Sequence, residues 1–273
     1  VGTESKGISI ISEMFNITRV HNAISSCSLL ARGLAIARDF ARKRFAFGKT
    51  IIDHPLHVKT MASVQADLEA CVHITFFTIS LLGAKECQKL SPKRTALVRI
   101  LMPLIKLYTA KAAVRGTSET LECLGGVGYM EDSGMPRLLR DAQVLPIWEG
   151  TTNVLSLDVF RVLNKTPEVL DIFYEEITQR LEISKNSKSF TAQLQLASDK
   201  VRRVMDSARS LFRSITPQTP KEHVELVARD FSYGLATSFA ASLLLEEVAL
   251  SPVPDTAASV AIIFINVCIT NHL

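Results

Sequence analysis

The stretch Glu122–Asn153, ECLGGVGYMEDSGMPRLLRDAQVLPIWEGTTN, decides how the chain is read. Leu124-Gly125-Gly126-Val127-Gly128-Tyr129 closes a long helical pattern with glycines, where the backbone can take positive φ and a ligand can come close. Two readings stand open for it: a cradle for a phosphate, or a helix C-cap followed by a turn. At the other end, Ile147-Trp148-Glu149-Gly150-Thr151-Thr152-Asn153 sets a carboxylate between an aromatic and a glycine at the start of a helix. A carboxylate held beside an aromatic and out of water is tuned toward general-base work. The alternative for Glu149 is a first-turn residue favoured by the helix dipole.

Working outward, apolar residues recur at helical spacing from Asn16 to Arg44 (Val20, Ala23, Ile24, Cys27, Leu30, Ala31, Leu34, Ala35) with no proline. That spacing predicts one long helix, capped by Asn16 or Thr18. Asp53-His54-Pro55 starts a second helix running to about Cys87, and a third runs from Pro92 to Cys123 into the glycine loop. Met130–Leu145 reads as a loop in which Arg140 and Asp141 form a supporting ion pair. A fourth helix follows Glu149, with Val154, Leu155, Leu157, Val159, Phe160 and Leu163 as its apolar positions. These elements predict an all-α fold, a long-helix up-and-down bundle over 16–165. A second helical region over 166–273 has helices at about 168–185, 190–213, 221–250 and 257–270, separated by polar and proline-rich breaks. Residues 1–15 read as the end of a preceding β-domain or a linker, with Gly7–Ile11 extended.

At 273 residues, with 47% hydrophobic and 21% charged residues, the chain is large enough for a substantial core and excludes a disordered class. The net charge of +4 is unevenly spread, with the basic excess in 1–165 and an acidic balance in 166–273. Five cysteines, Cys27, Cys71, Cys87, Cys123 and Cys268, show no disulfide framework and no metal-ligand spacing, and a reduced compartment is expected. His54, His57 and His73 are not arranged as a metal site. The apolar run Ala257–Thr270 is too short to span a bilayer. The abrupt start at Val1 is expected to mark a piece of a longer protein.

In their order and spacing, the glycine loop, the Arg140-Asp141 step and Trp148-Glu149-Gly150-Thr151 resemble the acyl-CoA dehydrogenase family. Phe15-Asn16-Ile17-Thr18-Arg19 and Arg44-Phe45-Ala46-Phe47-Gly48-Lys49 match that family's motifs in the same order. The resemblance implies that Glu149 is the catalytic base, and that Phe15, Asn16, Arg19, Trp148 and Gly150 border the acyl-CoA substrate. It implies FAD as cofactor, with Arg44 and Phe47 reaching the FAD of a neighbouring subunit and Glu122, Gly125, Gly126, Thr151 and Asn153 as further cofactor contacts. Three positions depart from the pattern. Asn16 replaces a common aspartate, Pro55 a glutamine, and Glu122 another glutamine, which leaves a carboxylate near a diphosphate. The region after residue 165 is similar, in length and helical character, to the AidB-like branch.

The function expected is α,β-desaturation of an acyl-CoA thioester, with Glu149 abstracting the α-proton and flavin accepting a hydride. Trp148 would wall the pocket against water. The alternative is an AidB-like protein that binds flavin or a long acyl-CoA with little turnover. The acidic balance of 166–273 argues against DNA there; the stripe Lys200, Arg202, Arg203, Arg209 and Arg213 is where duplex DNA could bind, and it also reads as a solvated helix face. The expected assembly is a homodimer or homotetramer, with electron-transfer flavoprotein or oxygen as electron acceptor, in a mitochondrion or peroxisome.

Overall fold

The computed structural model describes residues 7–269, and apolar periodicity locates nearly every helix in it. In chain order these are α1 (Gly7–Lys43), a two-strand hairpin β1 (Phe45–Ala46) and β2 (Lys49–Thr50), α2 (Pro55–Glu86) and α3 (Pro92–Glu122). A single turn α4 (Gly126–Tyr129), α5 (Met135–Val144) and α6 (Thr152–Lys165) complete the first half. The second half is α7 (Val169–Ser184), α8 (Ala192–Ser214), α9 (Lys221–Leu250) and α10 (Pro254–Cys268).

Three departures from expectation have local causes. First, α1 starts at Gly7, not Asn16, so Gly7–Ile11 is helical rather than extended; residues 1–6 lie outside the described residues. The β-branched isoleucines there lower helix propensity only slightly, and adding turns to an existing helix needs no new nucleus. Asn16 and Thr18 are therefore interior, and Thr18 Oγ1 donates back to the Phe15 carbonyl at 3.1 Å. Second, Met130–Leu145 is not all loop. Gly134, at φ +72°, turns the chain, and Pro136 is tolerated in the first turn of α5, whose Met135 and Ala142 are buried. Third, Arg140 and Asp141 pair elsewhere: Arg140 makes a bidentate contact to Glu131 at 2.9 and 3.0 Å, and Asp141 faces Arg137 at 3.6 Å. All four are exposed, so these pairs add little stability.

Every residue of α3 from Ile100 to Ala110 is buried, which makes it the central helix. Close approach of α1 to α3 needs glycine twice. A Cβ on Gly116 would sit 2.1 Å from Leu30 Cδ1, and one on Gly33 would sit 2.6 Å from Thr120 Oγ1. Buried hydroxyls are satisfied within their own helices, as Thr109 to the Ile105 carbonyl and Thr117 to the Ala113 carbonyl, both at 2.7 Å. One continuous hydrophobic cluster runs from Val20 through α2, α3 and α6 to Phe173, Phe239 and Phe264, so the two helical regions share a core. Within it, buried Arg180 donates to Glu176 at 2.9 Å and forms an ion pair with Glu246 at 3.2 Å, and its guanidinium lies 4.5 Å from the Phe77 ring centre. Helices α2 and α9 are long and apolar enough to cross a bilayer by length and composition, but 72% of the α9 window is buried inside the fold.

Candidate active site

Three described non-glycine residues have positive φ: Phe47 at 50°, Gln88 at 54° and Glu149 at 59°. Gln88 follows the end of α2, where a left-handed residue commonly closes a helix. The other two are residues that the family resemblance singles out, and such strain persists only where the surroundings impose it. Glu149 lies before α6, whose N-cap is Thr151, so it is not a first-turn helical residue. With Gly150 at φ +98°, it forms a sharp reversal between Trp148 and Thr151.

Two buried side chains hold the segment that leads into and through this reversal. Asn22 of α1 donates from Nδ2 to the Leu145 carbonyl at 2.9 Å, and Lys106 of α3 donates from Nζ to the Gly150 carbonyl at 2.5 Å. Lys106 is 0% exposed, and burial, together with the nearby Arg19 charge, pushes its pKa down to about 8, with Glu149 opposing the shift. Sequence reasoning missed both residues. The available signal was a lone cation in the apolar run Ile100–Tyr108 and a lone amide on the core face of α1. Glu149 itself is half-buried and Trp148 is 41% exposed, so within this chain the tryptophan does not seal the carboxylate from water.

Phe15, Asn16 and Arg19, expected together, line one cleft of about 360 Å³ with Arg99, Asp158 and Lys165. Arg19 Nη2 is fixed by Asp158 at 2.9 Å, while its buried Nε has no partner among the described residues. Three cations against one carboxylate suit an anionic group. Thr151 and Asn153 stand exposed at the start of α6, and Asn153 Oδ1 accepts from Arg229 of α9 at 3.1 Å.

Arg44 and Phe47 lie at the other end of α1. Arg19 and Arg44 are 25 residues apart along the chain, which is about 37 Å of helix rise. Phe47 and Gly48 both take positive φ in the turn of the hairpin, and the Phe47 side chain is 94% exposed. Phe47 and Glu122 line a second cleft, of about 420 Å³, with His54, His57 and Glu119. Gly125, at φ +60°, needs glycine for its backbone, and Gly126 has open space where a side chain would be. Gly128 is glycine for another reason: a Cβ there would lie 2.0 Å from the Leu121 carbonyl oxygen. The structure thus supports both readings of the loop, a helix end and an open, close-approach surface. Exposed Glu122 beside Glu119 is a poor fit to a diphosphate, whereas the open space at Gly125 and Gly126 leaves the backbone free for close approach.

The basic stripe on α8 is partly paired. Arg202 bonds Glu182 at 2.6 Å, Arg209 and Arg213 share Asp171 at 2.6 and 3.5 Å, and Lys200 donates to Asn266 at 2.6 Å. Among the described residues no group of three or more His, Cys, Asp or Glu is placed to hold a metal.

Residues 5–163 match the model of the acyl-CoA dehydrogenase C-terminal domain, and residues 168–269 match the acyl-CoA dehydrogenase 11 C-terminal domain-like family. The gap between the two matches coincides with the α6–α7 connection. Acyl-CoA dehydrogenase family member 11 of Caenorhabditis elegans is 38% identical over 257 residues, covering 93% of this chain and 41% of that protein. AidB of Escherichia coli K12 is 31% identical over 218 residues, covering 80% of this chain and 38% of that one. The crystal structure of Caenorhabditis elegans ACDH-11 in complex with C11-CoA superposes with a TM-score of 0.91 at 36% identity, over 100% of this chain and 45% of that chain. The chain spans about two fifths of the length of these curated relatives. Matched over more than half its length, with the expected motifs at the strained turns, the chain belongs to the acyl-CoA dehydrogenase family.

Proposed function

We propose that the chain forms the C-terminal half of an FAD-dependent acyl-CoA dehydrogenase, in which Glu149 removes the α-proton of an acyl-CoA thioester. The observation that carries this is the Glu149–Gly150 reversal, strained at Glu149 and fastened at Gly150 by a buried ammonium. A base on a loop is useful only if its carboxylate is held within hydrogen-bond reach of the proton it takes. Here Lys106 and Asn22 supply that constraint from two core helices. The cationic cleft around Arg19 is suited to the phosphate-bearing part of a CoA thioester, and the similarity to a structure solved with C11-CoA supports a CoA thioester as the ligand.

Bound FAD supplies the hydride acceptor for the β-hydrogen. In this reading Arg44, Phe47, Gly125 and Gly126 hold the cofactor of one active site, and Thr151, Asn153 and Glu149 serve another. The roughly 37 Å of α1 between Arg19 and Arg44 supports such an arrangement, because it separates the two groups within one copy. The functional unit is then at least a homodimer of a longer chain, with electron-transfer flavoprotein as the candidate acceptor.

The test is anaerobic mixing of the full-length, flavin-loaded protein with short, branched and long acyl-CoAs, while the visible flavin absorption is followed. Rapid bleaching by at least one class supports dehydrogenation and identifies the acyl chain preferred. Retained flavin that no thioester bleaches contradicts it, and leaves the AidB-like binding role.

A further inference from the structure

Behind the active-site loop, on the opposite side of α3, a cleft of about 490 Å³ lies between α3, α9 and α10. Its size falls within the ~300–1,000 Å³ of small-molecule sites. Lys111 and Arg115 from α3 and Arg229 from α9 line it, against a single lining carboxylate, Asp230. We propose that this cleft binds a small organic anion, its carboxylate or phosphate group taken by Lys111, Arg115 and the Tyr108 hydroxyl.

Three features make it a built site rather than a basic surface. The first is Tyr108, only 2% exposed, whose hydroxyl has no hydrogen-bond partner among the described residues. Leaving a buried hydroxyl unpaired is costly, a cost that a bound acceptor removes. Burial pushes the Tyr108 pKa up, so it remains a donor at neutral pH. The second is Arg115. Buried Asp67 takes its Nε at 3.3 Å and its Nη2 at 2.7 Å, and the Cys268 thiol donates to the other oxygen of the same carboxylate at 3.3 Å. That arrangement fixes the guanidinium by one edge and leaves its Nη1 side without a hydrogen bond among the described residues, so the end of the fork can take a carboxylate or phosphate. The third is Lys111, which no carboxylate among the described residues neutralises within 4 Å. Arg229 closes the wall, tied to Asn153 at 3.1 Å and lying 5.8 Å from the Tyr233 ring centre. It joins the cleft to the loop that carries Glu149. Three cations facing two carboxylates, Asp67 and Asp230, leave a net positive lining.

The experiment uses the full-length protein, titrated with sodium orthophosphate and separately with sodium hexanoate, with sodium chloride at matched ionic strength as control. Binding is read by titration calorimetry and by the thermal midpoint. Saturable binding by phosphate identifies a phosphate-bearing ligand, and by hexanoate a carboxylate; either supports the site. Lys111→Met and Tyr108→Phe are each expected to weaken the effective probe by about ten-fold, the loss of one charge-assisted bond. Tyr108→Phe removes only the unpaired hydroxyl, so it keeps the fold intact if Lys111→Met does not. No binding beyond the chloride control overturns the proposal. So does binding unchanged in both variants, which would place the anion at another cleft such as that of Arg19.

Discussion

Replacing Lys106 with Met tests the fastening of the base loop, and its energetics follow from the structure. The Lys106 pKa falls from 10.5 to about 8, chiefly because its ammonium is buried. That difference corresponds to about 3 kcal/mol held against the charged form in the folded state. The sign is definite. With the folded value below the unfolded one, the unfolded chain holds the extra proton between pH 8 and 10.5. Stability therefore rises with pH through that window, and below pH 8 the full penalty is present. Lys106→Met removes the penalty but leaves the Gly150 carbonyl without its donor, which costs about 1–3 kcal/mol. The two nearly offset at pH 7, so the variant should stay within about 2 kcal/mol of the parent there. Urea denaturation of parent and variant from pH 7 to 10 separates the effects, because the other titrating groups cancel in the difference. Parent stability relative to Lys106→Met should climb by up to about 3 kcal/mol as pH rises above 8, since the neutral amine still donates to Gly150. A difference that is flat with pH refutes the buried ammonium. Flavin bleaching should slow in the variant even where its stability matches the parent, because the reversal at Glu149 loses its bond at the Gly150 carbonyl.

Three further outcomes are expected. Gly128→Ala drives a Cβ onto the Leu121 carbonyl, a backbone atom that cannot step aside, and should destabilise by about 1–3 kcal/mol in thermal or urea melts. Phe47→Ala should leave chain stability within about 0.5 kcal/mol because the ring is 94% exposed, while lowering flavin retention and self-association measured by sedimentation. Arg180→Ala strips a buried cation from Glu176 and Glu246 and should cost about 3–5 kcal/mol, visible as a large drop in melting temperature with no role at the active site.

Much of the fold is legible in the residues because long helices repeat their apolar spacing many times. Pro55, Pro92 and Pro254 begin helices at their first position, and the breaks before α8, α9 and α10 follow from polar and proline-rich segments. The glycine at 134 and proline at 136 mislead, since the same pair that punctuates a loop also opens α5. In the site, the composition and order of the motifs locate Glu149, the glycine loop and Phe47. Their conformations are not legible, because Phe47 and Glu149 reach positive φ through tertiary constraint and not through preference. Lys106 and Asn22 escape for the same reason. Each looks like a core misfit along its own helix, and its partner carbonyl lies 44 and 123 residues away in the chain.

The measurement closest to the central claim is the bleaching rate of flavin by an acyl-CoA deuterated at the α-carbon, in the full-length parent and in Glu149→Gln. The α-C–H bond breaks at Glu149 in this account. Bleaching should therefore be slower with deuterium than with hydrogen in the parent, and absent on the same timescale in Glu149→Gln. A Glu149→Gln protein that binds flavin and bleaches at the parent rate would contradict it.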